Sequence, residues 1–229
     1  MQAIWDFTDT EKELVRSLVR KGKTEEDSVG PFAVVSFETF YELFTADEIR
    51  VVEKYLAFDP AVLHPKLPVL GVAGVPRDLV AINGQKYIVG GKTHHPPQQY
   101  LPRATYEAYQ AMNTALHADL GSELVVLYGY RSPARQVFIF FQILAEVYDF
   151  NFAKTVRRVV LPTCSEHVCP TRQAIDFIAA QAPEGQEFDQ TREYAWLQKN
   201  ASRFGFVESY PKDNTLDMMY EPWHWSYRP

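Results

Sequence analysis

Residues 206–227 run Phe206-Val207-Glu208-Ser209-Tyr210-Pro211-Lys212-Asp213-Asn214-Thr215-Leu216-Asp217-Met218-Met219-Tyr220-Glu221-Pro222-Trp223-His224-Trp225-Ser226-Tyr227. The two ends, Phe206–Tyr210 and Met218–Tyr227, are rich in aromatic residues and read as two strands of an antiparallel pair. Just upstream, residues 190–204 form a helix around Tyr194, Trp196, Leu197 and Phe204, which Gly205 ends. Ala174–Ala179 is a short strand. Ser132-Pro133 starts another helix, because Ser caps and Pro suits the first turn. That helix carries Val137, Ile139, Phe140, Ile143, Leu144 and Val147, and Glu123–Tyr128 before it, with Leu124, Val125, Val126 and Leu127, is a short buried strand. Helices and antiparallel strands in separate runs indicate an α+β fold, a small antiparallel sheet with flanking helices.

The first half is more helical. Residues 8–22 show one apolar stripe, Leu14, Val15, Leu18 and Val19, with Thr10 and Glu13 as a capping box and Gly22 as the stop. Lys23–Gly30 is polar and reads as a loop. Residues 36–58 read as two short helices, the second opened by a Thr45/Glu48 capping box. Pro60, Pro65, Pro68 and Pro76 make 59–77 an irregular connection. Asp78–Ile82 and Gln85–Val89 flank Asn83-Gly84, the signature of a type I′ hairpin. Residues 103–119 then form a helix burying Tyr106, Tyr109, Ala111, Met112, Leu116 and Leu120.

The chain has 229 residues, 46% apolar and 14% aromatic, so a disordered or low-complexity chain is excluded. A net charge of −6 argues against a nucleic-acid partner. No apolar run approaches the roughly 18 residues of a membrane span. The N-terminus turns acidic at once and shows no secretory signal, which by itself points to the cytoplasm. The two cysteines, Cys164 and Cys169, allow at most one bridge and no disulfide framework.

Three segments carry chemistry: Gly129-Tyr130-Arg131-Ser132-Pro133-Ala134-Arg135-Gln136, Ser165-Glu166-His167 followed by Ala174-Ile175-Asp176, and Glu221-Pro222-Trp223-His224-Trp225. Gly91-Lys92-Thr93 resembles the tail of a phosphate-binding loop, but position 86 is Lys where that motif needs Gly. A catalytic zinc site takes N and O ligands at about 2.0–2.2 Å and keeps a fourth position for water. His167, Asp176 and His224 supply such a set. Glu221 lies beside the metal as proton carrier, and Arg131 balances charge on a tetrahedral intermediate. Each residue also has a plainer reading. Asp176, costly in an apolar strand, needs a partner, which an arginine ion pair would equally supply. Arg131 suits a helix start, and Glu221 a surface acid on an end strand. His64, His94, His95 and His117 read as surface or satisfied core residues.

In this order the three segments resemble the zinc D-alanyl-D-alanine carboxypeptidases of the VanY type, within a group that includes VanX dipeptidases and L-alanyl-D-glutamate endopeptidases. Those proteins carry Tyr-Arg-Ser followed by Gln, then Ser-x-His-x-x-Gly-x-Ala-x-Asp, then Glu-x-Trp-His. Here they correspond to Tyr130-Arg131-Ser132 with Gln136, to Ser165–Asp176, and to Glu221–His224. The resemblance spans roughly 102–229. It implies a hedgehog/D,D-peptidase-like fold, a catalytic domain over 96–229 and an N-terminal helical extension over 1–95 packed on it. It also implies Zn2+ held by His167, Asp176 and His224, with Glu221 and Arg131 catalytic and Ser165 and Gln136 binding substrate. The implied substrate is a peptidoglycan-type peptide cut at its terminal D-Ala-D-Ala bond, which would place the protein in the periplasm or cell envelope. A D-Ala-D-Ala dipeptidase, a cell-wall L,D- or D,D-endopeptidase and a non-catalytic zinc-containing binding module are the alternatives. One departure stands out. His167 and Asp176 are nine residues apart where the family has seven, and Cys169 in the enlarged loop is a candidate either to compete as a ligand or to pair with Cys164.

Overall fold

The computed structural model describes residues 5–26, 32–182, 185 and 187–229. Helices α1 (Asp9–Glu26), α2 (Phe37–Glu42), α3 (Ala46–Leu56) and the single turn α4 (Pro60–Leu63) come first. Strands β1 (Leu79–Ile82), β2 (Tyr87–Val89), β3 (Lys92–His94) and β4 (Gln99–Pro102) lead into α5 (Arg103–Leu120) and β5 (Leu124–Tyr128). Then follow α6 (Pro133–Glu146), α7 (Phe152–Thr155), β6 (Ala174–Ala179), β7 (Gln181–Ala182), α8 (Arg192–Asn200), β8 (Phe206–Glu208) and β9 (His224–Tyr227). Helices combine with small, mainly antiparallel sheets, the α+β class expected. The chain divides into two compact units, one of Met1–Val75, Arg131–Val168 and Thr215–Met219, the other of Pro76–Tyr130, Cys169–Asn214 and Tyr220–Pro229.

The first unit is helical. Its core joins Val15 and Leu18 of α1, Val52 and Tyr55 of α3, and Val137, Phe138, Phe140, Phe141 and Leu144 of α6. Tyr55 stacks on Phe140 with ring centroids 3.9 Å apart. The capping box of α3 forms as expected from Thr45 and Glu48. Glu48 also receives Lys21 Nζ at 2.7 Å. Burial alone would raise its carboxyl; the hydrogen bonds from Lys21 and Thr45 outweigh it and hold the group below its ordinary value.

Two expectations for α1 fail. Its capping box is Thr8 with Glu11, two residues before the expected pair: Thr8 N–H donates to Glu11 Oε2 at 2.9 Å, and Glu11 N–H to Thr8 Oγ1 at 3.2 Å. Glu13 points instead to Arg20, at 2.9 Å. Gly22 does not end the helix, which runs on to Glu26. A Cβ at Gly22 would lie 2.0 Å from Phe138 Cε2, so the glycine serves close packing on α6 rather than a stop. The loop expected over Lys23–Gly30 is thus helix from Lys23 to Glu26, and its residues 27–30 lie outside the described residues.

The second unit centres on a four-stranded antiparallel sheet of order β5-β6-β9-β8. Val126, Phe177, Phe206 and Trp225 from its strands pack with Met112 and Leu116 of α5 and Leu197 of α8. The free edge of β5 is covered by side-chain amides. Asn113 Oδ1 accepts Leu124 N–H at 2.8 Å, and Gln85 Oε1 accepts Val126 N–H at 2.8 Å.

The expected Asn83-Gly84 hairpin does not form. β1 pairs antiparallel with β4, and β2 pairs with β3. A type I′ turn needs positive φ at both central residues. Gly84 has it, but Asn83 is not among the positive-φ residues, whereas Gly90 and Gly91 sit at φ 55° and 77°. The tight hairpin is therefore β2–β3, and Lys92-Thr93, the decoy phosphate motif, lies on its second strand. The long strand expected over Met218–Tyr227 is also shortened to His224–Tyr227.

Candidate metal and catalytic site

Asp176 and His224 are directly opposed across the antiparallel β6/β9 ladder. Opposed residues present their side chains on one face at close range. His224 Nδ1 accordingly lies 3.0 Å from Asp176 Oδ1. Asp176 is itself buried, and the imidazole answers its need for a polar partner.

Glu221 reaches the same nitrogen from within the chain. In a straight strand, residues three apart point to opposite faces. Here His224 N–H donates to the Glu221 carbonyl at 3.0 Å, closing a four-residue turn with Pro222 at its second position. The turn brings Glu221 Oε2 to 3.7 Å from His224 Nδ1. The indole N–H of Trp225 donates to the Pro222 carbonyl at 2.9 Å and locks the turn from the core side. Glu221 N–H donates to the Tyr210 carbonyl at 3.0 Å. The Tyr210 ring lies 4.9 Å from that of His224. Two buried carboxylates thus converge on one imidazole nitrogen.

His167, Asp176 and His224 are all buried, and each offers one ligand atom within 4.8 Å of the other two. Among the described residues this is the one such group of His, Cys, Asp and Glu, and Cys169 is not in it. The mixed N/O donor set and its compactness fit a divalent cation such as zinc. Both cysteines are free and buried. The residues after Cys169 form a short 3-10 turn, Pro170–Arg172, that takes up the longer His167–Asp176 loop.

Arg131 and Gln136 sit at the head of α6, where Ser132 caps by accepting Arg135 N–H at 3.1 Å. Arg131 N–H holds the His167 carbonyl at 3.0 Å. Its guanidinium donates to Gln136 Oε1 at 3.5 Å. Gln136 is buried, and its Nε2 donates to the Val160 carbonyl at 3.0 Å. Ser165 is buried at the end of a 3-10 turn, with its N–H on the Pro162 carbonyl at 3.2 Å.

The remaining histidines have ordinary partners. His94 stacks on Tyr87 across β2–β3. His95 Nδ1 lies 3.3 Å from the Gln85 carbonyl, and His117 3.7 Å from Glu123. His64 is buried, and its Nε2 accepts Leu161 N–H at 3.2 Å. His64 is thus a satisfied core residue, as expected, and its partner Leu161 lies too far along the chain for local pattern to show.

A family model described as VanY, D-alanyl-D-alanine carboxypeptidase, matches residues 98–229. The chain belongs to the VanY family. The D-alanyl-D-alanine carboxypeptidase of Enterococcus faecalis (strain ATCC 700802 / V583) is 31% identical over 126 residues, 52% of this chain and 44% of that protein. The YodJ protein of Bacillus subtilis (strain 168), named for carboxypeptidase activity, is 28% identical over 169 residues, 66% of this chain and 60% of YodJ. The chain thus spans less than two thirds of the length of these curated relatives. Among solved structures, the LdcB LD-carboxypeptidase, described for its recognition of peptidoglycan, is similar with a TM-score of 0.50 and 28% identity, over 66% of this chain and 68% of LdcB. The VanY match covers all three chemistry-bearing segments.

Proposed function

We propose that the chain is a zinc-dependent carboxypeptidase that removes the terminal D-alanine from peptidoglycan-type peptides ending in D-Ala-D-Ala. The carrying observation is the buried Asp176–His224 cross-strand pair with Glu221 on the same ring nitrogen. Membership of the VanY family supports the substrate class. His167, Asp176 and His224 would hold the ion. Bound zinc would polarise the scissile carbonyl and make water acidic enough to ionise near neutral pH. Glu221 takes the proton from the attacking water and returns it to the leaving amine. Arg131 offsets negative charge gathering on the carbonyl oxygen. Ser165 positions the substrate, and Gln136 acts with it by holding the Arg131 guanidinium. In this reading residues 1–95 are an extension packed on the catalytic domain.

Elemental analysis and D-alanine release from a muramyl pentapeptide test the proposal. Stoichiometric zinc with release of one D-alanine is expected; protein that takes up no zinc and releases none would sink it. The likeness to LdcB favours a second reading, hydrolysis after an L-configured centre. A tetrapeptide ending in such a bond, assayed beside the pentapeptide, separates the two.

A further inference from the structure

Leu161 opens the segment that carries Ser165 and His167. The peptide group joining Val160 to Leu161 is buried and gripped on both sides by side chains. Gln136 Nε2 donates to its carbonyl at 3.0 Å, and its N–H donates to His64 Nε2 at 3.2 Å. Two residues beyond, the Thr163 carbonyl accepts the N–H groups of Leu70 and Gly71 at 2.8 and 3.1 Å. The 3-10 turn Pro162–Cys164 follows at once, and the His167 carbonyl is in turn held by Arg131. His64 is itself fixed, with its N–H on the Pro60 carbonyl at 2.7 Å and its own carbonyl receiving Leu67 N–H at 3.0 Å. An imidazole whose Nε2 accepts a hydrogen bond and whose ring is buried stays neutral; burial pushes its pKa down to about 4. Residues 64–71 lie before the VanY match, which begins at 98.

We propose that His64 is a positioning residue for the site: with Gln136 it clamps the Val160–Leu161 peptide, so that a segment outside the VanY match sets the placement of the loop bearing His167 and, through Gln136, of Arg131. This rests on the reading of His167 as a metal ligand. Partners that orient a metal ligand change metal affinity or activity by about 10–100-fold when removed. A histidine serving only the core would change stability and leave both untouched in the folded protein.

H64F fills the space without an acceptor, and H64Q supplies an acceptor oxygen. Zinc affinity by chelator competition should fall about tenfold or more in H64F, with kcat lowered and KM little changed, and recover most of the way in H64Q. Wild-type zinc affinity and kcat in folded H64F overturn the proposal. A second measurement needs no variant. Coupling is reciprocal, so zinc loading of the wild type should slow hydrogen exchange at the Leu161, Leu70 and Gly71 amides. Unchanged exchange there also overturns the proposal, and this measurement decides alone if H64F does not fold. A wild type that takes up no zinc and releases no D-alanine removes the site reading and this proposal together. A working wild type with an equally working H64F removes only this one.

Discussion

Glu221 and His224 meet because Pro222 sits between them. Their spacing of three shows from the sequence alone that a straight strand would separate them, and it names Pro222 as the source of a kink. The structure supplies the form of that kink, a hydrogen-bonded turn closed from the core by Trp225. E221A should therefore leave zinc content unchanged, since the donor set excludes Glu221. It should lower D-alanine release by about 10²–10⁴-fold, the usual weight of a positioned acid–base group. Release at the wild-type rate would remove Glu221 from the reaction. His64 makes a prediction at the same scale. Its folded pKa, about 4, lies below its ordinary value of about 6.5. Between those values the unfolded chain takes up a proton that the folded chain refuses. Stability is thus lost as pH falls through that window and levels off below it, by about 3 kcal/mol over the whole span. H64Q should flatten this part of the curve, which urea titrations of both proteins at a series of pH values will show.

At the scale of elements, legibility followed periodicity. α5, β5, α6 and β6 carry long apolar stripes or short apolar runs, and the structure places them within a residue or so of expectation. Turn chemistry was less decisive. Asn83-Gly84 and Gly90-Gly91 both look like hairpin turns, and the choice between them depends on pairing partners: β1 finds β4, seventeen residues further along. Gly22 misleads for a related reason. A glycine near a helix end usually stops it, but the Phe138 ring facing this one is invisible to any local window. G22A tests the close approach directly. Alanine favours a helix by up to about 1 kcal/mol over glycine. Its Cβ would nevertheless meet a fully buried ring at 2.0 Å, a clash that cannot be relieved by a freely moving side chain. Overpacking of this kind costs about 1–3 kcal/mol, so the variant should melt lower than the wild type. A melting temperature that rises would show that α1 rides further from α6 than described.

At the scale of the molecule, the VanY match begins at residue 98, yet α6, inside the match, shares its core with α1 and α3, outside it. Composition could show an apolar stripe on each helix but not which stripe meets which, because these contacts join residues about a hundred positions apart. A chain starting at residue 98 would expose Val137, Phe138, Phe140, Phe141 and Leu144 to water, an apolar face far larger than a scattered surface residue. Such a truncation should be insoluble or bind a hydrophobic dye strongly, without a cooperative melt; a soluble fragment that melts cooperatively would show that the matched region folds alone.

The register of β9 against β6 does two jobs at once. Slipping the ladder by one residue would turn every β9 side chain to the opposite face, sending His224 toward the core and Trp225 toward the carboxylates. Under the proposed function, misassembly and inactivity would therefore be the same event. A wrongly paired copy would lose a metal ligand at the moment it loses its packing, so the sheet would proofread the site: only chains that have closed it correctly would bring Asp176 and His224 face to face.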